Sequence, residues 1–376
     1  MDKNKENVPK IRFPGFTSPW EQRKVKDIFK VTRGYVLAAT ETMDKKTDEM
    51  HYPVYSSQTK DNGLMGYYKD FLYENAITWT TDGANAGTVN YREGKFYCTN
   101  VCGVLLSDDG YANKMVSEAL NNISWKHVSK VGNPKLMNNV MSEIVVSLPK
   151  TIEEQNIISD LLNRLDNLIN LHQRKLNHLQ DKKKSLLQKM FPEKGEDFPK
   201  IRFPGFIDPW EQRKLGELCD EFQSGKNIKS EDIRDEGRYP VFGGNGLRGY
   251  TNTYNHDGLY ALIGRQGALC GNMNISYGKA YFTEHAVAVK GNKNNETRFL
   301  FYLLGVMNLG QYSGQSAQPG LAVNRLIELS AFIPTFVEQA QISALFKKID
   351  NLIILNQRKL NHLKEQKKSL LQQMFV

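Results

Sequence analysis

Cysteine is scarce in this 376-residue chain: four residues, Cys98, Cys102, Cys219 and Cys270, with no Cys-x-x-Cys pair among them. So few thiols exclude a disulfide framework, and reduced cysteines in a cytoplasmic protein are the expectation. Cys98 and Cys102 have no second ligand pair at a suitable spacing, so no metal site is expected either. No apolar run comes near the roughly 18 residues of a membrane helix, and the opening MDKNKENVPK holds no apolar stretch. Neither a membrane span nor a secretory signal is expected.

Catalytic signatures are missing as well. There is no GxxxxGK-Ser/Thr phosphate loop, no Gly-rich dinucleotide fingerprint opening a strand-to-helix turn, no HExxH and no GxSxG. The GGNG at Gly243 to Gly246 lacks the lysine and following helix of a nucleotide site and reads as a turn. An aminomethyltransferase would be expected to carry an Asn/Asp-Pro-Pro-aromatic element, and the chain has no Pro-Pro. Acidic neighbours such as Glu231 and Asp232 lie in a charged loop, where solvation suffices to explain them. Intrinsic catalysis therefore has no support. Positive charge, by contrast, is in excess: 50 Lys and Arg against 41 Asp and Glu leave a net charge of +9. A polyanionic partner, for such a chain a nucleic acid, is the expectation.

The chain also repeats itself. Glu154 to Phe191, EQNIISDLLNRLDNLINLHQRKLNHLQDKKKSLLQKMF, returns 184 residues later as EQAQISALFKKIDNLIILNQRKLNHLKEQKKSLLQQMF. Both copies place apolar residues three and four apart without Pro or Gly, which predicts two long amphipathic helices, each roughly 55 Å long at 1.5 Å per residue. The expected seams run through Ile158, Leu161, Leu165, Leu168, Leu176, Leu179, Leu186 and Met190, and through Ile342, Leu345, Ile349, Leu352, Leu360, Leu363, Leu370 and Met374. A lone helix cannot hide such a stripe, so the two are expected to pair as a coiled coil, with the 11-residue step from Leu165 to Leu176 departing from strict heptads. His172 and Asn356 occupy matching seam positions, where a polar group fixes register. Glu153, Glu154 and Asp160 open the first helix, while Lys182, Lys183, Lys184 and Lys189 close it, in the sense of the helix macrodipole. That polarity favours an antiparallel pair, although Lys347 and Lys348 fall in the first half of the second helix. The alternative is that each helix caps a separate core.

A second duplication precedes each helix: PKIRFPGFTSPWEQRK at Pro9 to Lys24 and PKIRFPGFIDPWEQRK at Pro199 to Lys214. Two prolines, a glycine and a Pro-Trp exclude a helix here, so these are extended lead-ins, anchored by Trp20 and Trp210. The middles also line up, Gly63-Leu64 with Gly246-Leu247, Gly83 and Gly87 with Gly267 and Gly271, Tyr97 and Thr99 with Tyr281 and Thr283, and Pro134 and Leu136 with Pro319 and Leu321. Stretches such as ITWTT, FYCTNVCGVLL, LYALIG and AYFTEHAVAV read as short strands, and helices are predicted near Lys114 to Asn122 and Thr297 to Asn308. Between those positions the residues diverge: TTDGANAGTVN stands against IGRQGALCGNMN, SSQTKDNG against FGGNG, and KHVSKVGNPKLMNN against YSGQSAQPGLAVN. Unlike loops on a shared scaffold are where specificity resides.

The two PWEQRK lead-ins, the two Glu-Gln helices ending KKSLLQxMF and the two divergent middles resemble the specificity subunits of type I restriction-modification systems. The resemblance covers essentially the whole chain. It implies an α+β fold in which two pseudo-symmetric α/β target-recognition domains are joined by two long helices paired as an antiparallel coiled coil. The expected parts are residues 1–152 (lead-in and first recognition domain), 153–191 (first long helix), 192–210 (linker and second lead-in), 211–337 (second recognition domain) and 338–376 (second long helix). It further implies that each domain reads one half of a bipartite, asymmetric DNA site, and that the helices set the spacer and dock two modification (methyltransferase) subunits. Restriction (translocase-nuclease) subunits join that assembly. S-adenosylmethionine, ATP and Mg2+ are then expected on partner subunits, with none bound by this chain. Independently, a head-to-tail duplication folded on itself acts as a covalent dimer, and unlike loops on its halves would read unlike half-sites. A stand-alone DNA-modifying enzyme and a coiled-coil scaffold remain the alternatives.

Base readout needs paired donors and acceptors on loops that reach a groove. In the second middle the candidates are Arg265 and Gln266, with Asn245, Arg248, Asn272 and Gln318 behind them. In the first they are Thr81, Asp82 and Asn85, with Lys60, Asn62, Lys130, Lys135 and Asn138 on other loops. Lys130, Lys135 and Arg325 suit phosphates rather than bases. Arg174, Lys175, Arg358 and Lys359, on outer helix faces, are candidates for the partner subunits.

Overall fold

The computed structural model describes residues 7–57, 60–267, 269–313 and 320–375. The chain divides into two compact units, unit 1 (Met1–Gln173 with Arg358–Val376) and unit 2 (Arg174–Gln357).

Unit 1 is built on a six-stranded sheet. Its strands are β2 (Lys30–Arg33), β3 (Tyr52–Tyr55), β4 (Leu64–Tyr68), β5 (Tyr73–Thr80), β6 (Val89–Cys98) and β7 (Cys102–Leu106), in the order β2-β7-β5-β6-β3-β4. The lead-in strand β1 (Glu21–Lys24) pairs antiparallel with β8 (Val145–Leu148). Helix α1 (Lys114–Ser124) is capped by Asn113, whose side chain accepts from the Val116 N–H at 3.0 Å. Its apolar face, Met115, Val116, Ala119 and Leu120, packs on Ile77, Trp79, Leu105 and Trp20. Trp79 dictates a glycine beside it, because a Cβ at Gly103 would lie 2.1 Å from the indole. A one-turn helix, α2 (Asn138–Glu143), leads into β8.

Unit 2 repeats the plan. The lead-in strand β9 (Glu211–Lys214) pairs with β18 (Ser330–Ile333), and the sheet strands are β10 (Cys219–Ser224), β11 (Tyr239–Gly243), β12 (Gly246–Thr251), β13 (His256–Asp257), β14 (Tyr260–Gly264), β15 (Met273–Ser276), β16 (Lys279–Phe282) and β17 (Ala286–Gly291). The helices are α4 (Thr297–Val306), capped by the Glu296 carboxylate on the Phe299 N–H at 2.6 Å, and the short α5 (Val323–Leu326). The clear departures are that the strands continuous as β5 and β6 in unit 1 are interrupted in unit 2, at Gly258-Leu259 and at Tyr277-Gly278. Two four-stranded sheets, β10-β17-β14-β15 and β12-β11-β16-β13, take the place of one. The GGNG stretch is the tight β11–β12 hairpin turn, with Gly243 opposite Gly246.

Two 39-residue helices, α3 (Ile152–Met190) and α6 (Phe336–Met374), each contribute one part to each unit. Inside unit 1, Ile158 and Leu162 of α3 share a core with Leu370, Leu371 and Met374 of α6, and Asp166 pairs with Lys367 at 2.7 Å. Inside unit 2, Ile342, Phe346 and Ile349 of α6 pack with Leu186, Leu187 and Met190 of α3, and Lys183 pairs with Asp350 at 2.6 Å. In both units the beginning of one helix meets the end of the other, which is antiparallel packing. The two ion pairs are one pair repeated 184 residues on. Each stripe also enters its unit's sheet-and-helix core, so pairing and core-capping occur together.

The expected seam needs correction. Leu168 and Leu352 are 44% and 37% exposed, whereas Leu162 and Phe346, left out of the seam, are fully buried. Near its start each helix is held by the domain core as well as by its partner helix, so the inward-facing stripe is wider than a two-helix seam. Glu154 lies in the first turn of α3, as expected, and there it is a carboxylate 1% exposed, gripped by Arg12 through two bonds of 2.7 and 2.8 Å. Arg202 grips Glu338 at the same two distances. The neighbouring Gln155 donates to the Pro149 carbonyl at 3.1 Å and accepts from Asn113 at 2.9 Å, and Gln339 donates to the Pro334 carbonyl at 3.0 Å. Trp20 meets Phe375 edge-on at 6.0 Å, as Trp210 meets Phe191 at 6.0 Å. Among the described residues, no helix is long and apolar enough to cross a membrane.

Two predictions follow from these pairs. Removing one partner of a buried ion pair leaves the other unmatched, so Glu338→Ala should destabilise unit 2 by about 3–5 kcal/mol in denaturant unfolding, and a loss below about 1 kcal/mol would contradict the pairing. In unit 1, burial alone would lift the Glu118 and Asp166 carboxyls, but Lys114 and Lys367 hold both below the ordinary range. Depressed carboxylates stabilise the fold above their unfolded pKa, near about 4, and that stability is lost as pH falls through the lower folded values. Melting scans between pH 6 and pH 3 should show a shallower acid slope for Lys367→Met than for the unaltered chain; equal slopes would assign the acid sensitivity elsewhere.

Candidate nucleic-acid interface

In unit 1 the connections after β2, β3, β5 and β6 converge. The Tyr35 N–H donates to the Cys98 carbonyl (3.1 Å), Thr99 N–H to Tyr55 (2.9 Å), Thr81 N–H to Val101 (3.0 Å) and Leu136 N–H to Thr81 (2.9 Å). Unit 2 repeats this frame bond for bond. Lys226 N–H donates to Phe282 (2.9 Å), Thr283 to Phe242 (2.9 Å), Arg265 to His285 (2.9 Å) and Leu321 to Arg265 (2.9 Å). Even the isolated bridge of Asp82 with Lys135 returns as Gln266 with Gly320. Gly34 and Gly225 permit the crossing after β2 and β10, since a Cβ at either would lie 2.1 or 2.2 Å from a carbonyl oxygen, that of Cys98 or Phe282.

On this common frame the side chains differ. In unit 1 Asp82 lies 3.5 Å from Lys135, and Asn85 donates to the Ser57 carbonyl at 3.4 Å. Residues 129–135 form a hairpin closed by two Ser129–Lys135 backbone bonds, with Lys130 exposed and Val131 90% exposed at its tip. Asn62 is exposed in a left-handed turn. Lys60 opens that turn, and its side chain lies outside the described residues. Thr81 is corrected: it is buried, and its hydroxyl lies 2.8 Å from Asp82 and 3.0 Å from the Val101 carbonyl, so it positions Asp82 and presents no edge of its own. Asn138 opens α2 and donates to the Thr32 carbonyl at 3.3 Å, apart from the Asp82 group.

In unit 2 Asn245, Arg248 and Gln266 line one cleft of about 310 Å3 with His285, which the sequence reading missed. The His285 Nδ1 lies 2.9 Å from the Gln266 amide oxygen and orients that amide. Its only sequence signal is its place in the repeat, opposite Val101 of unit 1, where an apolar residue gives way to a polar one. Arg265 is turned from expectation: its guanidinium points back at the Leu321 and Glu284 carbonyls, both at 3.4 Å. Asn272 is exposed beside the same loop, Arg325 is exposed at the end of α5, and Gln318 lies outside the described residues. Also missed were Tyr35 and Val36, 64% and 78% exposed on the connection after β2, where unit 2 carries Lys226 and Asn227.

Arg174 and Lys175 in unit 2, and Arg358 and Lys359 in unit 1, are exposed on the long helices. Exposed leucines recur there as well, Leu168 and Leu171 in unit 1 and Leu352 and Leu355 in unit 2. Burial pushes both thiols of the first middle up, Cys102 to about 11, as suits inert core cysteines. No cluster of three His, Cys, Asp or Glu suited to a metal occurs among the described residues.

Two copies of one α+β unit, each with a loop face carrying basic and amide side chains and each holding parts of both long helices, define a duplicated architecture. The family profile described as "Type I restriction modification DNA specificity domain" matches residues 17–181 and again 207–365, and the chain belongs to that family. It is 44% identical over 145 residues to the Type I restriction enzyme EcoprrI specificity subunit of Escherichia coli, a match covering 38% of this chain and 36% of that one. It is 36% identical over 170 residues to the Type I restriction enzyme MpnII specificity subunit of Mycoplasma pneumoniae, covering 44% of this chain and 49% of the other. The matched stretches thus span about a third to a half of these two curated relatives. Among solved structures, the S subunit of a type I restriction-modification system from M. genitalium superposes with a TM-score of 0.75 at 17% identity, over 98% of this chain and 99% of that one. A chain from a structure described by its assembly within the type I system superposes at 0.51 and 15% identity, over 97% and 99%.

Proposed function

We propose that this specificity-family chain reads DNA for a type I restriction-modification complex without catalysing a reaction itself. Each unit reads one half of a bipartite, asymmetric site. The long helices set the spacing between the halves and dock two modification subunits, which restriction subunits join. S-adenosylmethionine, ATP and Mg2+ belong to those partners. The observation that carries this reading is the pairing of one backbone frame, repeated bond for bond, with two unrelated sets of polar loop side chains. A scaffold gives no reason for loops to diverge on a conserved frame. A reader of two unlike half-sites requires it.

On this reading the cleft of Asn245, Arg248, Gln266 and His285 takes base edges, since Arg forks to guanine and Gln to adenine in the major groove. Lys130 and Lys135 take phosphates, Lys135 exchanging Asp82 for DNA. The exposed leucines beside Arg174, Lys175, Arg358 and Lys359 suit docked protein, and their appearance twice suits two copies of one partner.

Three outcomes test the reading. Gln266→Ala and Arg248→Ala should each cost about 1–3 kcal/mol of discrimination at one half-site and leave the other unchanged; equal loss at both halves in a methylation assay would contradict independent reading heads. Inserting four residues, about one helical turn, after both Asn170 and Ile354 should change the permitted gap between half-sites. Sequencing of methylated sites checks this, and an unchanged gap would remove the helices from the spacing role. A purified chain that showed no salt-dependent gel shift with DNA would sink the proposal as a whole.

A further inference from the structure

Arg92 lies in β6 of unit 1, only 7% exposed, yet among the described residues no carboxylate is among the main groups acting on its charge. Burial draws its pKa below the ordinary guanidinium value, and what opposes that draw comes from Tyr55 and the two buried thiols. A buried charge without a counter-charge is costly and survives where it has a task. The geometry around it is specific. Nε donates to the Thr78 hydroxyl at 3.0 Å, Nη2 donates to the Asn62 carbonyl at 2.7 Å, and the guanidinium lies over the Tyr55 ring at 3.7 Å.

Asn62 is itself unusual. It and Asp61 both occupy left-handed backbone geometry (φ 54° and 49°), strained for residues with side chains and stable only when the surroundings hold it. The connection they belong to reaches the candidate interface: Ser56 accepts from the Thr99 hydroxyl at 3.0 Å, and the Ser57 carbonyl accepts from Asn85 at 3.4 Å.

Unit 2 supplies the contrast. The residues pairing at the equivalent sites are Ser276, Phe242 and Leu262 in place of Arg92, Tyr55 and Thr78. Between equivalent residues the hairpin connection runs over 56–63 in unit 1 but only 243–246 in unit 2, where Gly246 takes the left-handed position. The longer connection and the guanidinium beneath it therefore occur together, and the short one does without.

We propose that Arg92 is a positioning residue: through the Asn62 carbonyl it holds the left-handed turn at Asp61 and Asn62 in its reading conformation, and it is thereby a specificity determinant of the half-site read by unit 1. The step to specificity rests on the reading of the chain as a DNA-recognition subunit; the step to loop conformation does not. Lysine cannot replace Arg92, because one ammonium cannot fork to Thr78 and Asn62 while stacking flat on Tyr55.

The test uses the full chain as Arg92→Met and Arg92→Lys. Hydrogen exchange without DNA should quicken about tenfold in peptides covering 56–63, while β5 and β7 keep their protection. Unchanged exchange at 56–63 in both variants overturns the proposal. Loss of core protection in the methionine variant would mean it no longer folds, and the lysine variant then decides. In cells supplying modification subunits, methylation of a library with randomised half-sites should relax at the unit 1 half alone, in both variants. Relaxation at both halves alike, or full rescue by lysine, overturns the specificity role. If the unaltered chain confers no sequence-specific methylation, it is the recognition reading that fails, and the exchange result still judges what Arg92 holds.

Discussion

A carboxylate sunk at the foot of each long helix is the constraint on which each unit is built. Glu154 and Glu338 are almost wholly removed from water, and neither could remain charged there without the guanidinium that the lead-in delivers. That single requirement ties two distant pieces of chain together: the extended PKIRFPGF segment and the first turns of the helix. The glutamine that follows completes the joint. In unit 1, Gln155 satisfies the Pro149 carbonyl and Asn113, which in turn caps α1, so the helix carrying the core face is bonded to the helix carrying the unit. Both oxygens of each carboxylate are taken by the guanidinium, so within each unit the lead-in is fixed to the first turns of the long helix.

Above that joint the fold separates scaffold from content. Backbone bonds such as Thr81 to Val101, or Arg265 to His285, are made by groups every residue possesses, so the frame tolerates nearly any side chain around them. Glycines such as the crossing pair Gly34 and Gly225 are the exception, compelled by close contact with backbone. The consequence is visible at one position: where unit 1 places Asp82 against a lysine, unit 2 places an amide oriented by a histidine. A fold organised this way can change what it reads without changing how it stands.

The sequence disclosed the repeat, the long helices, α1 and α4, and the principal strands, because those follow from periodicity and from glycine and proline placement, which are local properties. It was misleading wherever a residue's partner lies far along the chain. That Glu154 is buried on a guanidinium had no signal at the helix start, because Arg12 is 142 positions away. Leu168 and Leu352 looked like seam residues, since spacing alone cannot tell which side of a wide stripe meets a neighbour. Within the loops the failures were larger: Thr81 is committed to its own loop and Arg265 to its neighbours' carbonyls, while His285 and Arg92 drew no notice. Loop side chains are aimed by long-range backbone bonds, and no periodicity records them.

Alone, then, the amino-acid order determined that one unit is used twice, that each copy ends in a helix too long and too sticky to stand by itself, and that the two copies differ in their loops. Short-range rules suffice for that, since pattern and turn chemistry act within a few residues. Which loop residues stand together, which of them are free to face a partner, and which charges are buried to hold the rest came only from the tertiary structure. These are outcomes of contacts between segments 50 to 200 residues apart, as between Trp79 and Leu136 or Asp166 and Lys367, where burial and hydrogen-bond satisfaction are decided jointly by both sides.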